Sequence, residues 1–120
     1  MKKQVMVVDD SRMMELHIRR LLEGTDYEIV AYCENGEDAI AGYADLWPDV
    51  VTMDIIMPGI DGLEAAQIIL EEHPEARIVM VSSLANDDSV HEASGIGAKT
   101  FLYKPFSKEE LLQALDEATE

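Results

Sequence analysis

The sequence predicts a doubly wound α/β domain, with a five-stranded parallel sheet and helices packed on both of its faces. Three observations carry that expectation. Five short apolar runs rich in Val and Ile recur along the chain, each is followed by a stretch with helical punctuation, and 120 residues suffice for one core but not two. Strands that alternate with helices in this way lie parallel and are joined by right-handed crossovers. Residues 1–120 are therefore read as one domain.

The predicted strands are Val5 to Val8, Tyr27 to Tyr32, Val50 to Met53, Ile78 to Val81 and Thr100 to Tyr103. Unbroken apolar runs suit strands buried on both faces, whereas Glu28 interrupts the second strand and places it nearer an edge. Ser11 caps the first helix, which sets Met14, Ile18 and Leu21 or Leu22 on one face and stops at Gly24. Asn35 and Asp38 open a second helix that runs to about Leu46, where Trp47 and Pro48 end it. Asp61 with Glu64, and Ser107 with Glu110, have capping-box spacing and start helices over Leu63 to Glu72 and Lys108 to Ala118. The fourth helix, around Asp87 to Ser94, is made of indifferent helix formers, with Gly95 and Gly97 close behind. Gly costs about 1 kcal/mol relative to Ala inside a helix. Low local stability is expected there, which suits a conformational switch.

Composition narrows the function. Hydrophobic residues make up 48% of the chain and the mean hydropathy is -0.06, which argues against a disordered segment. With 25 acidic and 9 basic residues the formal charge is -16, which repels nucleic-acid phosphates and anionic membrane surfaces. No Lys or Arg lies between Arg20 and Arg77, so a long acidic surface is solvated, met by cations or matched by a basic partner. Cys33 is the sole cysteine, which excludes an internal disulfide and a multi-cysteine metal site and fits a reducing, cytoplasmic setting. The apolar run after Lys2 and Lys3 ends at Asp9, too short for a secretory signal.

In doubly wound sheets ligands bind beyond the carboxyl ends of the strands. Asp9 and Asp10 follow the first strand, Asp54 the third, Ser82 and Ser83 the fourth, and Lys104 with Pro105 the fifth. If the carboxylates converge, each pair at about 4 Å repels by roughly 1 to 4 kcal/mol. Lys104 can offset part of this, and a hard divalent cation on oxygen ligands, Mg²⁺, can offset the rest. Asp54 then becomes a carboxylate able to attack phosphorus without a base and form an aspartyl phosphate.

Val8 to Arg12, Met53 to Pro58, Asp61-Gly62, Val81 to Ser83, Gly97-Ala98 and Lys104 to Phe106 together resemble the motifs of response-regulator receiver domains. The likeness spans the whole chain and is strongest to stand-alone, CheY-like chemotaxis regulators. It implies a (βα)5 flavodoxin-like fold with strand order 2-1-3-4-5. It also implies roles: Asp54 accepts a phosphoryl group from a sensor histidine kinase. Asp10, Asp54 and the Ile56 carbonyl bind Mg²⁺, and Asp9 does so through water. The Ser82 hydroxyl, the Ser83 N–H and Lys104 hold phosphoryl oxygens, and the Lys104–Pro105 bond is cis. Phe101 takes the aromatic switch position that many relatives fill with Tyr, and moves with Ser82. Ile56 and Leu84 flank the phosphorylation site as hydrocarbons that leave an attacking water neither room nor orientation, so a long-lived phosphorylated state is expected.

Read singly, several of these residues have plainer roles. Asp9 or Asp10 can be a cap, Ser82 and Ser83 the start of a loop, and Lys104 a surface amine; Asp61 is assigned to capping. His17, His73 and His91 lack metal-ligand spacing, Cys33 and Met6, Met14, Met53 and Met80 read as core, and Trp47 as cover for a core edge. The expected function is a signalling switch, not an enzyme acting on a separate substrate, although it catalyses its own phosphoryl transfer and dephosphorylation. Because the chain stops at Glu120, output is expected through a protein target on the surface from Asp87 to Ala118. The last helix lacks the basic residues of salt-bridged receiver dimers, so a monomer is expected. The alternatives are a receiver module of a larger regulator, a phosphorelay intermediate, or a small Mg²⁺-dependent phosphohydrolase. Ile56 argues against the last, since haloacid-dehalogenase phosphatases have an Asp two residues after the nucleophile. A flavin binder is disfavoured by the lack of a Ser/Thr/Gly-rich loop after the first strand.

Overall fold

The computed structural model describes residues 2–83 and 87–120, and the side chains of all these except 87–89. Leu84 and the first side chains of the expected output surface, from Asp87, lie outside the described residues. Strands and helices alternate as β1 (Lys3–Val8), α1 (Arg12–Leu21), β2 (Tyr27–Cys33), α2 (Gly36–Leu46), β3 (Val50–Asp54), α3 (Gly62–Glu72), β4 (Ile78–Ser82), α4 (Asp87–Gly95), β5 (Thr100–Tyr103) and α5 (Lys108–Thr119). All neighbouring strands pair in parallel, in the order β2-β1-β3-β4-β5. The Glu28 strand is indeed an edge.

Alternate residues of each central strand feed two separate cores, as the period of a pleated strand requires. Met6, Val8, Val51, Met53, Ile78 and Met80 meet Ala39 and Tyr43 of α2, Ala65, Ala66 and Ile69 of α3 and Ala93 of α4. Val5, Val7, Val50, Val79 and Val81 meet Ile18 of α1 and Leu111 and Leu115 of α5 on the opposite face. Cys33 is buried with the first group, and Met14 packs partly buried against the second.

The helix starts follow their caps. Ser11 Oγ accepts from Met14 N–H at 3.3 Å, and Asn35 Oδ1 from Asp38 N–H at 2.7 Å. A complete capping box forms at Ser107, where Glu110 Oε1 accepts from Ser107 N–H at 2.9 Å and Ser107 Oγ from Glu110 N–H at 3.1 Å. At Asp61 the forward bond, from Glu64 N–H, measures 2.8 Å. Trp47 ends α2 in a left-handed conformation, φ 48°. Its ring lies 6.2 Å from that of the buried Tyr43, at an edge of the core, with 57% of the residue exposed.

Candidate functional site

The first and third strands adjoin, and their carboxyl ends bring distant acids together. Carboxylate oxygens of Asp9, Asp10 and Asp54 all lie within 4.8 Å of one another. Asp9 is fixed by its backbone, which donates to the Cys33 carbonyl at 3.0 Å, and its Oδ1 accepts from Ser11 N–H at 2.8 Å. The cap of α1 is Ser11, and Asp9 braces the turn leading into it while also belonging to the acid cluster. Asp10 is exposed, whereas Asp9 and Asp54 are buried.

Lys104 closes the cluster from β5. The peptide bond after it is cis, and its backbone N–H donates to the Ser82 carbonyl at 2.9 Å. Its Nζ donates to Asp9 Oδ2 at 2.9 Å and stands 3.5 Å from Asp54 Oδ1. Burial works to lower the Lys104 pKa, but the Asp9 hydrogen bond and the Asp54 and Asp9 charges outweigh it and raise it. Asp54, 6% exposed, is pushed up from 3.8 to about 6, first by burial and then by the Asp9 charge, with Lys104 opposing. It is thus still mostly ionised at neutral pH.

Three oxygen-donor carboxylates against one lysine leave negative charge uncompensated, and that donor set fits a hard divalent cation such as Mg²⁺. Ser82 is buried at the end of β4, one residue past the Val81 that pairs with Asp54, and Ser83 is exposed next to it. Ile56, two residues past Asp54, has 55% of its surface open. Phe101 is half-buried, packs 5.0 Å from the Tyr103 ring, and borders a cavity of about 120 Å³ lined also by Val90, Ala93 and Ala98.

Two features escaped sequence reasoning. Glu15 is fully buried on α1, held by Arg19 Nη2 at 2.6 Å and Arg12 Nε at 3.3 Å. Its signal was present in the Arg12, Glu15, Arg19 spacing, which is the i,i+3 and i,i+4 pattern of helical ion pairs. Gly62 donates to the Ile55 carbonyl at 2.7 Å, and a Cβ there would overlap the Asp54 carbonyl oxygen. The loop that carries Ile56 is closed by that contact.

A doubly wound sheet with an acid pocket and a lysine at its strand ends defines a receiver-type signalling domain. The chain belongs to the response regulator receiver domain family, which it matches over residues 5–116, and is a two-component response regulator. It is 39% identical over 115 residues to the chemotaxis protein CheY of Listeria monocytogenes, covering 96% of this chain and 97% of that one. The response regulator domain of Thermotoga maritima CheB superposes with a TM-score of 0.91 at 34% identity, over 99% of this chain and 97% of that one. A chain of the CheX-CheY-BeF3-Mg complex of Borrelia burgdorferi gives a TM-score of 0.90 at 31% identity, over 94% of this chain and 86% of that one.

Proposed function

We propose that Asp54 is the phosphoacceptor of a receiver switch that serves chemotaxis or motility signalling. The observation that carries this reading is a buried carboxylate at the strand ends, 3.5 Å from a lysine and within 4.8 Å of two further carboxylates. An Asp54 oxygen attacks the phosphorus of a kinase phosphohistidine. The new O–P bond forms as the P–N bond breaks, and the departing imidazole takes a proton from solvent. Asp10, Asp54 and the Ile56 carbonyl would hold Mg²⁺, with Asp9 acting through water. The ion's contribution is to neutralise charge on the phosphoryl oxygens during transfer.

Lys104 exchanges part of its pairing with Asp9 for a phosphoryl oxygen, while the Ser82 hydroxyl and Ser83 N–H bind the others. Drawing Ser82 toward the phosphoryl group leaves room for Phe101 to move into the adjoining cavity, which changes the surface between Asp87 and Ala118 that a target protein reads. Ile56 excludes an oriented water and prolongs the phosphorylated state. The names of the Listeria and Borrelia relatives support the chemotaxis assignment, and the BeF3, Mg and CheX of the Borrelia complex support the metal and a protein partner.

The test is incubation with Mg²⁺ and acetyl phosphate followed by intact mass measurement. One phosphoryl adduct is expected on the wild type and none on Asp54→Asn; an adduct on both, or on neither, overturns the assignment. Ile56→Asn is expected to speed loss of that adduct.

A further inference from the structure

The C-termini of α2 and α3 lie at the opposite end of the sheet from Asp54, because each helix runs back to the start of the next strand. Three rings gather there. The Trp47 indole stands 5.0 Å from His73 and 6.2 Å from Tyr43, and Tyr43 lies 4.9 Å from His73. Tyr43 is buried and His73 half-buried, while Trp47 and its neighbour Leu46 are largely exposed. Among the described residues Trp47 is the one non-glycine with positive φ, at a helix end where Gly or Asn ordinarily sits. A bulky side chain held in that conformation with its ring open to water is not explained by core burial.

Charge selects what could cover it. α2 and α3 carry Glu37, Asp38, Asp45, Glu64, Glu71 and Glu72 and neither Lys nor Arg. Asp45, Glu71 and Glu72 fall in the last turns, where the helix dipole already presents negative potential. Glu75 adds another carboxylate 3.8 Å from His73 Nδ1, and Arg77 is the cation it opposes at Tyr43.

The geometry points to Trp47, Leu46 and the acidic ends of α2 and α3 as a docking surface for an arginine-bearing, partly apolar segment of a partner protein. A guanidinium stacks on an indole face while pairing with carboxylates, and Trp and Arg are enriched among residues that dominate interfaces. A second copy of this chain would bring its own charge of -16, and an anionic membrane is repelled. Because the surface is remote from the acid pocket, docking is expected to be the same with and without phosphate on Asp54. It would tether the regulator and leave its switching face open.

Trp47 is the sole tryptophan, so its emission reports on this surface alone. A short blocked helical peptide with Arg along one face and Leu along the other is titrated into the whole protein. Saturable binding, a blue shift of Trp47 emission and protection from acrylamide are expected. Trp47→Gly suits the left-handed backbone and keeps every charge, and should weaken binding about tenfold by labelled-peptide anisotropy. Asp45→Asn with Glu72→Gln should weaken it similarly and serves if the glycine variant misfolds; Asp54→Asn should not weaken it. Binding that Trp47→Gly and the Asp45/Glu72 pair leave intact would be adventitious attraction to an acidic protein and would overturn the inference. So would an unmoved Trp47 emission, or self-association of the wild type that Trp47→Gly abolishes.

Discussion

Asp54 and Glu15 are both buried carboxylates within one small domain, and they meet opposite electrostatic surroundings. Glu15, on α1, has two guanidiniums drawn from its own helix, at 2.6 and 3.3 Å, whose outer ends remain in water. Asp54 shares a single lysine with Asp9, and that lysine sits closer to Asp9, at 2.9 Å against 3.5 Å. Burial of an acid is therefore not in itself a mark of function. What separates the two is the ratio of cations to acids, an excess around Glu15 and a deficit around Asp54 that a divalent ion would relieve.

The largest predicted effect breaks the scaffold under the deficient site. In Gly62→Ala the new methyl meets the Asp54 carbonyl oxygen, so either the start of α3 or the end of β3 must shift. A loss of about 3 to 5 kcal/mol in urea denaturation is expected, together with loss of Mg²⁺ binding. Next comes the compensated site. Arg12→Ala with Arg19→Ala strands a fully buried carboxylate and should cost about 3 kcal/mol, whereas Glu15→Met, which removes the charge and keeps the volume, should be nearly neutral. If Glu15→Met were as damaging as the double arginine variant, Glu15 would have a role beyond its ion pairs.

Much of this was legible in the sequence, for identifiable reasons. Strand and helix limits fall within one or two residues because β-branched runs, caps and Pro48 mark them locally. Asp9, Asp10, Asp54 and Lys104 were visible because ligand sites in such sheets collect at strand ends; that β1 and β3 adjoin came from the family resemblance. Glu15 was not legible as buried, because helical periodicity marks Met14, Ile18 and Leu21 as inward and leaves an acid beside them read as solvated. Trp47 was expected to cover an edge of the core; its ring does lie beside the buried Tyr43, but more than half of its surface stays open.

Removing the charge at the deficient site should stabilise the metal-free protein. The Asp54 pKa lies higher in the folded than in the unfolded chain, so the folded state binds this proton more tightly. Its contribution to stability is full below pH 3.8 and lost as pH rises through about 6. A rise of that size corresponds to at most about 3 kcal/mol. Asp54→Asn should accordingly exceed wild type by about 2 kcal/mol at pH 7 and show no advantage near pH 4, measured by urea midpoints without divalent ions.

Mg²⁺ should then distinguish the two carboxylates directly, with the smallest effect of the series. At ten times its dissociation constant a ligand of the folded state adds RT ln 11, about 1.4 kcal/mol. Wild type and Glu15→Met should both gain this in thermal or urea unfolding, because the Glu15 pair takes no part in the rim. Asp54→Asn should gain much less, having lost a ligand as well as the repulsion that favours a cation. The advantage of Asp54→Asn over wild type at pH 7 should consequently shrink as Mg²⁺ is added, since the ion and the substitution relieve the same excess of negative charge. An advantage that Mg²⁺ left unchanged would mean that the strain at Asp54 comes from its burial and not from Asp9 and Asp10.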